Sequence, residues 1–329
     1  MAVVKADAYG HGLVRAARAL AGADSFGVAC IEEAEQLREA GIGHPVVLLE
    51  GPFAADELPR IAAQDLEMVV HHEEQLRMLE SARLPSPVKV WLKVDTGMHR
   101  LGFAPADVPA AWQRLQGCAA VAPDIVIMSH MANAADPGSQ LVRAQLHSFD
   151  AVVRDLGGAA SMANSAGVIH WHDSHYDIVR PGLMLYGVSP MNDRSAAAHA
   201  LQPVMSLESE LISVKPLRRG DAVGYGATWS CPEDMPVGIV AAGYGDGFPR
   251  HATSGTPVMV NGVRSQIVGN ASMDMLCVDL RPLPDARVGD PVQLWGDQLP
   301  VEEVARHAGT IPYELLCHVQ ARLRVVERE

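Results

Sequence analysis

Six residues with side chains suited to catalysis or anion binding stand at the ends of short apolar segments, which we predict to be β-strands. They are Lys5, Lys93, His130, Asn164, Ser165 and Arg180. Each alone predicts little, because a lysine at a strand end is usually a solvated surface residue. Together they favour an active site, since parallel barrels carry their chemistry at the carboxyl ends of the strands. A lysine amine there becomes nucleophilic once nearby positive charge and desolvation lower its pKa.

Up to about residue 200, these ends belong to strand-like runs that alternate with helix-period segments. Helices are predicted at Glu32–Ala40, which Gly41 ends, and at Ser139–Leu156, whose apolar face Gln145 interrupts. Eight strands with intervening helices predict an α/β fold, an eight-stranded parallel β/α barrel of the TIM type. The alternative is an open doubly wound sheet, although no G-x-G-x-x-G opens the first helix. The predicted strands are Ala2–Lys5, Phe26–Cys30, Val46–Leu49, Met68–Val70, Val88–Leu92, Ile125–Ser129, Ala160–Asn164 and Asp177–Arg180.

After residue 200 the pattern becomes that of a mostly antiparallel β domain. We therefore predict a barrel over residues 1–200 and a β domain over residues 201–329. Met205–Val214 alternates as MSLESELISV, and Val237–Ala242 is a continuous apolar run. Asn261-Gly262 between apolar segments predicts a two-residue hairpin turn. A short helix is predicted near Val301–His307.

The composition excludes several classes of protein. The 329 residues are 48% hydrophobic, and no apolar run approaches the ~18 residues that cross a bilayer. A net charge of −13 argues against a nucleic-acid partner. The five cysteines lack paired spacing and no signal peptide is visible, so a soluble cytoplasmic protein with free thiols is expected. The histidines of HWHDSH, at 170–175, lack a fourth ligand and are expected on a surface loop rather than in a metal site.

Several motifs follow one another in the order typical of one enzyme family. They are VVKADAYGHG, LKVDTGMHRLGF, ANSAG, VRPGLMLYG, VGYGATW, GYGDGFPR, SMDM and IPYELL. In these motifs the sequence resembles the alanine racemase family, which consists of enzymes that use pyridoxal 5'-phosphate (PLP) and combine a barrel with a β domain. The resemblance covers nearly the whole chain. It implies an isomerase that interconverts L- and D-alanine, for the cell wall or for the use of D-alanine in catabolism.

The resemblance implies a two-base mechanism in which Lys5 and Tyr225 act on opposite faces of the substrate. Lys5 would hold PLP as a Schiff base, and PLP would take up the electrons of the carbanion. The Tyr225 phenol, with an ordinary pKa near 10, would need cationic neighbours to act as a base. In the family, the residues matching Tyr225 and Met273 reach the site of the partner subunit, so a homodimer is implied.

Further residues are implied to bind the cofactor. Arg180 is similar to the arginine that contacts the pyridine nitrogen, which would stay unprotonated because a guanidinium keeps its proton. His130 would donate a hydrogen bond to Arg180 or orient it, and the N–H groups of Gly182 and Leu183 would face the phosphate at the start of a short helix. The full set implied to bind the cofactor is Lys5, Tyr9, His130, Asn164, Ser165, Arg180, Gly182, Leu183 and Tyr313.

The remaining matches concern the substrate. Its carboxylate would be bound by Arg100 and by the backbone N–H of Met273. Lys93 resembles a lysine that becomes carbamylated in the family, and the carbamate would fix Arg100; an unmodified lysine paired with a carboxylate is the alternative. Tyr244, Arg250 and Asp274 resemble residues of the corridor by which substrate enters. The family usually has a further strand and helix before the strand that Met1 begins here.

Three other functions stay open. A broader racemase that acts on serine or other amino acids would differ by only ~1–3 kcal/mol in its pocket. A non-catalytic PLP-binding carrier would have no use for Tyr225 and Met273. A PLP decarboxylase of the same barrel type normally places a cysteine opposite the lysine, and no cysteine lies in a matching motif here.

Overall fold

The computed structural model describes residues 1–191 and 196–328. Their contacts divide the chain into two compact units. The first contains Met1–Leu185, and the second contains Tyr186–Ser189 and the C-terminal part of the chain. Each unit is built around its own main sheet.

The main sheet of the first unit has seven parallel strands that pair in chain order. The strands are β1 (Ala2–Val3), β2 (Phe26–Val28), β3 (Val46–Leu48), β4 (Leu66–Val70), β5 (Val90–Lys93), β6 (Val126–Met128) and β7 (Ala160–Ser161). The helices are α1 (Lys5–Gly10), α2 (Leu13–Ala19), α3 (Ile31–Glu39), α4 (Leu58–Ala63), α5 (Glu73–Ser81), α6 (Val108–Gln116), α7 (Gln140–Leu156) and α8 (Ser165–His170).

An irregular segment takes the place of the eighth predicted strand. The N–H groups of Asp177 and Ile178 donate to the carbonyl of Ala160 in β7, at 3.1 and 3.2 Å, and Val3 of β1 donates to the carbonyl of Pro181 at 2.9 Å. The segment is not a regular strand, because these two successive N–H groups share one carbonyl instead of continuing a ladder. It nevertheless bonds to both edge strands, so the sheet closes into a barrel as predicted.

Much of the interior of this barrel is apolar. Side chains from successive strands meet there in register, with Val69 beside Trp91 and Trp91 beside Val126. These residues form one buried cluster, and Ile178 from the irregular segment packs against it. Burial of these side chains away from water stabilises the closed form.

The predicted helices of the first unit are confirmed. Helix α3 is followed by Gly41 at φ +79°. Helix α7 begins after Ser139, whose hydroxyl accepts from the N–H of Val142, and ends at Gly157 in the left-handed conformation. The cap and stop signals are local, which is why the sequence predicts these boundaries well.

The second unit contains a six-stranded antiparallel sheet of order β13-β12-β15-β8-β11-β14 and a two-stranded ladder of β9 and β10. Its strands are β8 (Leu207–Leu217), β9 (Ala222–Val223), β10 (Trp229–Ser230), β11 (Met235–Val240), β12 (Pro257–Val260), β13 (Val263–Gln266), β14 (Leu276–Asp279) and β15 (Pro291–Trp295). Two helices follow, α9 (Val301–His307) and α10 (Pro312–Cys317).

The hairpin between β12 and β13 confirms the turn that Asn261-Gly262 predicts. Val260 pairs with Val263, so the turn has two residues. Asn261 and Gly262 have φ of +46° and +75°. Two positive φ values are those of a type I′ turn, whose twist matches the twist of the paired strands.

Across the described parts of both units, the longest helices are too short or too polar to cross a membrane. Among the same residues, no group of three or more His, Cys, Asp or Glu side chains is placed to hold a metal ion. In the HWHDSH segment, the rings of His172 and His175 meet edge to face at 5.2 Å, and Nε2 of His175 bonds to the carbonyl of Val168.

Candidate active site

Four cationic side chains interact at the carboxyl ends of the barrel strands. Lys93 ends β5 and is buried, with 7% of its surface exposed. Burial, followed by the charges of Arg180, Arg100 and Lys5, lowers the pKa of Lys93 to about 8. Such a cluster of like charges is unfavourable by itself and is suited to binding anions.

Glu50 supplies negative charge to this cluster. It comes directly after Leu49, which follows β3, and its Oε1 lies 3.7 Å from Nζ of Lys5. Its carbonyl is held by the ring of His71 at 3.0 Å and by the amide of Gln75 at 3.3 Å. Sequence analysis missed Glu50, although a carboxylate next to the end of the third predicted strand was a usable signal.

Arg180 is buried, with 4% exposed, and its hydrogen bonds go to neutral oxygens. Nη1 donates to the hydroxyl of Ser161 at 2.5 Å, and Nη2 donates to the carbonyls of Ser129 at 2.5 Å and Met162 at 3.3 Å. Burial lowers its pKa to about 10, which still leaves the guanidinium charged at neutral pH. The guanidinium group is therefore held in place by hydrogen bonds that leave its positive charge without a neutralising carboxylate.

The His130 ring lies beside these cations and lines a small pocket with Lys93, Arg100 and Ser129. Burial, followed by the charges of Arg180 and Lys93, lowers the pKa of His130 well below its usual value. The imidazole is therefore neutral at pH 7. In the described part of the chain no hydrogen bond joins it to Arg180, so the two residues are coupled by electrostatics alone.

A second group converges after β7, where Tyr9, Ser165 and Gly182 meet. The hydroxyl of Ser165 accepts from the N–H groups of Gly182 at 2.9 Å and Met184 at 3.3 Å. A Cβ on Gly182 would lie 2.4 Å from the hydroxyl of Tyr9, so any larger residue there would have to displace the Tyr9 ring. Asn164 caps α8 by accepting from the N–H of Gly167. Hydroxyl groups that meet beside a backbone without a side chain, at the start of α8, form a site suited to a phosphate.

Gln145 is a buried polar residue whose role the sequence did not reveal. The residue is fully buried, and its Oε1 accepts from the N–H of Ala132 at 2.9 Å. Its Nε2 donates to the carbonyl of His130 at 2.9 Å and to the hydroxyl of Thr96 at 3.3 Å. The interruption in the apolar face of α7 thus ties together the loops after β5 and β6.

In the second unit, Tyr225 stands on an exposed turn. The residue is 72% exposed, and it lies between Gly224 at φ +75° and Gly226 at φ +77°. Its carbonyl accepts from the side-chain amide of Asn270 at 2.8 Å. Glycines at these positive φ values allow the sharp turn that presents the phenol.

Met273 and Tyr244 lie on neighbouring loops of the same unit. The carbonyl of Met273, which is 54% exposed, accepts from the N–H of Gly245 at 2.7 Å. Tyr244 donates its own N–H to the carbonyl of Ser272 at 3.1 Å. These bonds bring two of the predicted substrate and corridor residues together.

The other residues predicted in the second unit lie on its surface or on α10. Asp274 pairs with Arg322 at 2.7 Å. Arg250 is exposed. Tyr313 is in the first turn of α10, and desolvation of its ring raises the pKa of its phenol.

Comparison with known proteins decides the family. Two protein-family models match this chain. The family described as alanine racemase, N-terminal domain, matches residues 1–190, and the family described as alanine racemase, C-terminal domain, matches residues 204–327. The chain belongs to the alanine racemase family. The fold and the family that the motifs predict are thereby confirmed.

Relatives in the alanine racemase family match nearly all of this chain. Alanine racemase of Halorhodospira halophila is 54% identical over 98% of this chain and 89% of its own. The biosynthetic alanine racemase of Escherichia coli K12 is 51% identical over 98% and 90%. A crystal structure of biosynthetic alanine racemase from Pseudomonas aeruginosa has a TM-score of 0.96 at 47% identity, covering 98% of this chain and 90% of that one.

Proposed function

We propose that this chain is a PLP-dependent racemase that interconverts L- and D-alanine. The observation that carries the proposal is the cluster of Lys5, Lys93, Arg100 and Arg180 at the carboxyl ends of the barrel strands. Both the carboxylate of alanine and the phosphate of PLP are anions, and such a cluster attracts them. Membership of the alanine racemase family supports the same reaction.

The residues of the barrel fit the cofactor. The space that a Cβ on Gly182 would fill is bounded by the hydroxyl of Tyr9, and Ser165 lies beside the N–H of Gly182. When bound, PLP supplies an electron sink for the carbanion formed at the α-carbon. Lys5 would hold it covalently. The phosphate would be bound by Tyr9, Asn164, Ser165, Gly182, Leu183 and Tyr313.

Arg180 would bind the ring nitrogen of the cofactor by donating a hydrogen bond, with His130 beside it. Its pKa of about 10 keeps the proton on the guanidinium at neutral pH. A hydrogen-bond donor that keeps its proton withdraws less electron density from the ring nitrogen than protonation of that nitrogen would. Arg180 would therefore favour return of the proton to the α-carbon over side reactions.

Two bases would act on opposite faces of the substrate. The Lys5 amine takes or returns the α-proton on one face, and the Tyr225 phenol does so on the other. Tyr225 is 72% exposed on its own chain, which supports a role in the site of a partner subunit within a homodimer. In this arrangement residues 1–200 form the PLP-binding barrel, and residues 201–329 form the β domain, which contains Tyr313 and supplies Tyr225 and Met273 to the partner.

The substrate would be held by its carboxylate. Arg100 is exposed and lines the same pocket as Lys93 and His130, and the backbone N–H of Met273 would be the second donor. Tyr244, Arg250 and Asp274 would line the corridor to the site. Polar side chains in such a corridor would suit a zwitterionic amino acid.

Lys93 would carry a carbamate that fixes Arg100. A pKa of about 8 leaves a substantial neutral fraction near physiological pH, and only the neutral amine adds to CO2. The nitrogen bonds to the carbon of CO2 and releases one proton to solvent. The product is an anion among Arg100, Arg180 and Lys5, which relieves their mutual repulsion.

The test compares variants of the purified protein after addition of PLP. Wild type should absorb visible light through its bound cofactor and convert L- to D-alanine. Lys5→Ala should lose both properties. Tyr225→Phe should keep the absorbance and lose about 10²–10⁴-fold in kcat. The control is Tyr176→Phe, which removes the hydroxyl that donates to Asp150 at 2.6 Å on the surface. A colourless wild type, or full activity of Tyr225→Phe, would overturn the proposal.

A further inference from the structure

The chain directly after Lys5 forms a left-handed turn of four residues that are not glycine. Ala6, Asp7, Ala8 and Tyr9 have φ between +52° and +55°. For an L-residue, this conformation is disfavoured about five- to thirtyfold, because Cβ approaches the following carbonyl oxygen. Four such residues in succession persist only where surrounding contacts hold them.

Glu33 holds the first peptide of this turn. Its Oε1 accepts from the N–H of Ala6 at 2.7 Å, and its Oε2 accepts from the N–H of Ala29 at 2.8 Å. Glu33 is in the first turn of α3, and Ala29 directly follows β2. One carboxylate therefore ties the peptide that follows Lys5 to the end of the neighbouring strand.

Other bonds hold the turn farther from Lys5. Asp7 accepts from the N–H of Leu13 at 2.6 Å through its carboxylate, and from Gly12 at 2.9 Å through its carbonyl. The N–H of Ala8 donates to the carbonyl of Val4 at 2.8 Å. In the described structure only Glu33 binds the N–H of Ala6.

The backbone of Lys5 is thus held from both sides. Before it, the N–H of Val4 donates to the carbonyl of Gly27 in β2 at 2.9 Å. After it, the N–H of Ala6 donates to Glu33. The first bond goes to β2 and the second to a carboxylate of α3, so together they set the direction in which the Lys5 side chain leaves the barrel wall.

We propose that Glu33 is a positioning residue for the reaction. Its carboxylate keeps the Lys5–Ala6 peptide in the left-handed turn and thereby directs the Lys5 amine toward the α-carbon. The inference rests on the role proposed above for Lys5. Loss of this bond lets the turn relax toward ordinary φ values, which moves the amine without changing the groups that bind the substrate.

The test uses Glu33→Gln, which keeps the size of the side chain but replaces one of its two accepting oxygens by a donor. Glu32→Gln is the matched control, because it removes the same charge from the same turn of α3. The third variant adds Ala6→Gly to Glu33→Gln. Ala6 is exposed, and glycine adopts positive φ without the cost borne by alanine.

We expect Glu33→Gln to lower kcat for alanine about tenfold, with KM changed less than twofold. Hydrogen exchange of the amides of Ala6 or Ala29, measured without cofactor, should accelerate about tenfold. Adding Ala6→Gly to Glu33→Gln should raise kcat at least threefold above that of Glu33→Gln alone, since it restores the turn and not the charge. Glu32→Gln should behave as wild type in both measurements.

Wild-type kcat and exchange in Glu33→Gln would overturn the inference. An equal loss of kcat in Glu32→Gln would also overturn it, as would a loss of kcat that Ala6→Gly does not recover. Each of these results indicates that Glu33 acts only through its charge or through folding. Failure of the proposed function is recognised separately. In that case wild type does not racemise alanine, while the exchange of Ala6 in Glu33→Gln still reports on the bond from Glu33.

Discussion

We expect Lys93 to make the first unit more stable as the pH rises. A lysine paired with a carboxylate would have the opposite effect. Lys93 is buried at the end of β5, and burial with three neighbouring cations lowers its pKa from 10.5 to about 8. One pKa unit is worth 1.36 kcal/mol, so the folded state bears a cost of about 3 kcal/mol for keeping this amine protonated.

The sign of the pH dependence follows from proton binding. Below pH 8 the amine is protonated in both the folded and the unfolded state, and the full cost is present. Between pH 8 and 10.5 the folded state has released the proton while the unfolded state still holds it, so stability rises with pH. Lys93→Met removes the charge and should stabilise the protein by up to about 3 kcal/mol at pH 7. This gain should shrink as the pH approaches 10.

The assay is urea unfolding of wild type and Lys93→Met between pH 6.5 and 9.5, in CO2-free buffer so that the lysine stays an amine. Hydrogen exchange of the β5 and β6 amides confines the measurement to the first unit. Lys215→Met is the control, because Lys215 is exposed in β8. If Lys93→Met is no more stable than wild type at pH 7, or if its advantage is the same at pH 9.5, the reasoning is refuted.

Two further predictions concern stability. Gln145→Leu leaves the partly buried carbonyl of His130 and N–H of Ala132 without these partners, at about 1–3 kcal/mol each. Its free energy of urea unfolding should fall by about 2–4 kcal/mol, whereas the exposed Gln140→Leu in the same helix should change it by less than about 0.5 kcal/mol. Gly262→Ala should cost about 1 kcal/mol, because φ there is +75°. Thermal unfolding that leaves its Tm at the wild-type value would contradict this.

Much of the fold could be predicted because its signals act over a few residues. Gly41 and Gly157 end α3 and α7 for a conformational reason that involves only their own φ. Asn261-Gly262 predicts its turn in the same way. The pattern of apolar runs also predicted Lys5 and Arg180 at strand ends. In the structure Lys5 begins α1 just after β1, and Arg180 lies in the irregular segment that follows β7.

Other features depended on distant parts of the chain. Gln145 looked like a defect in an apolar face, but its partners come from loops that lie thirteen and more residues away in sequence. Glu33 is 27 residues from Ala6, and the bond between them exists only because β1 pairs with β2. The eighth predicted strand is irregular because the N–H groups of Asp177 and Ile178 share the carbonyl of Ala160 in β7.

The amino-acid sequence alone determines the family, the order of barrel and β domain, and the residue types suited to the chemistry. It does so because periodicity, turn chemistry and motifs act between near neighbours. The charge state of Lys93, the bonds that hold Arg180 and the left-handed turn after Lys5 required the folded chain. Each depends on burial and on hydrogen bonds between strands, and both arise only when segments far apart in sequence pack together.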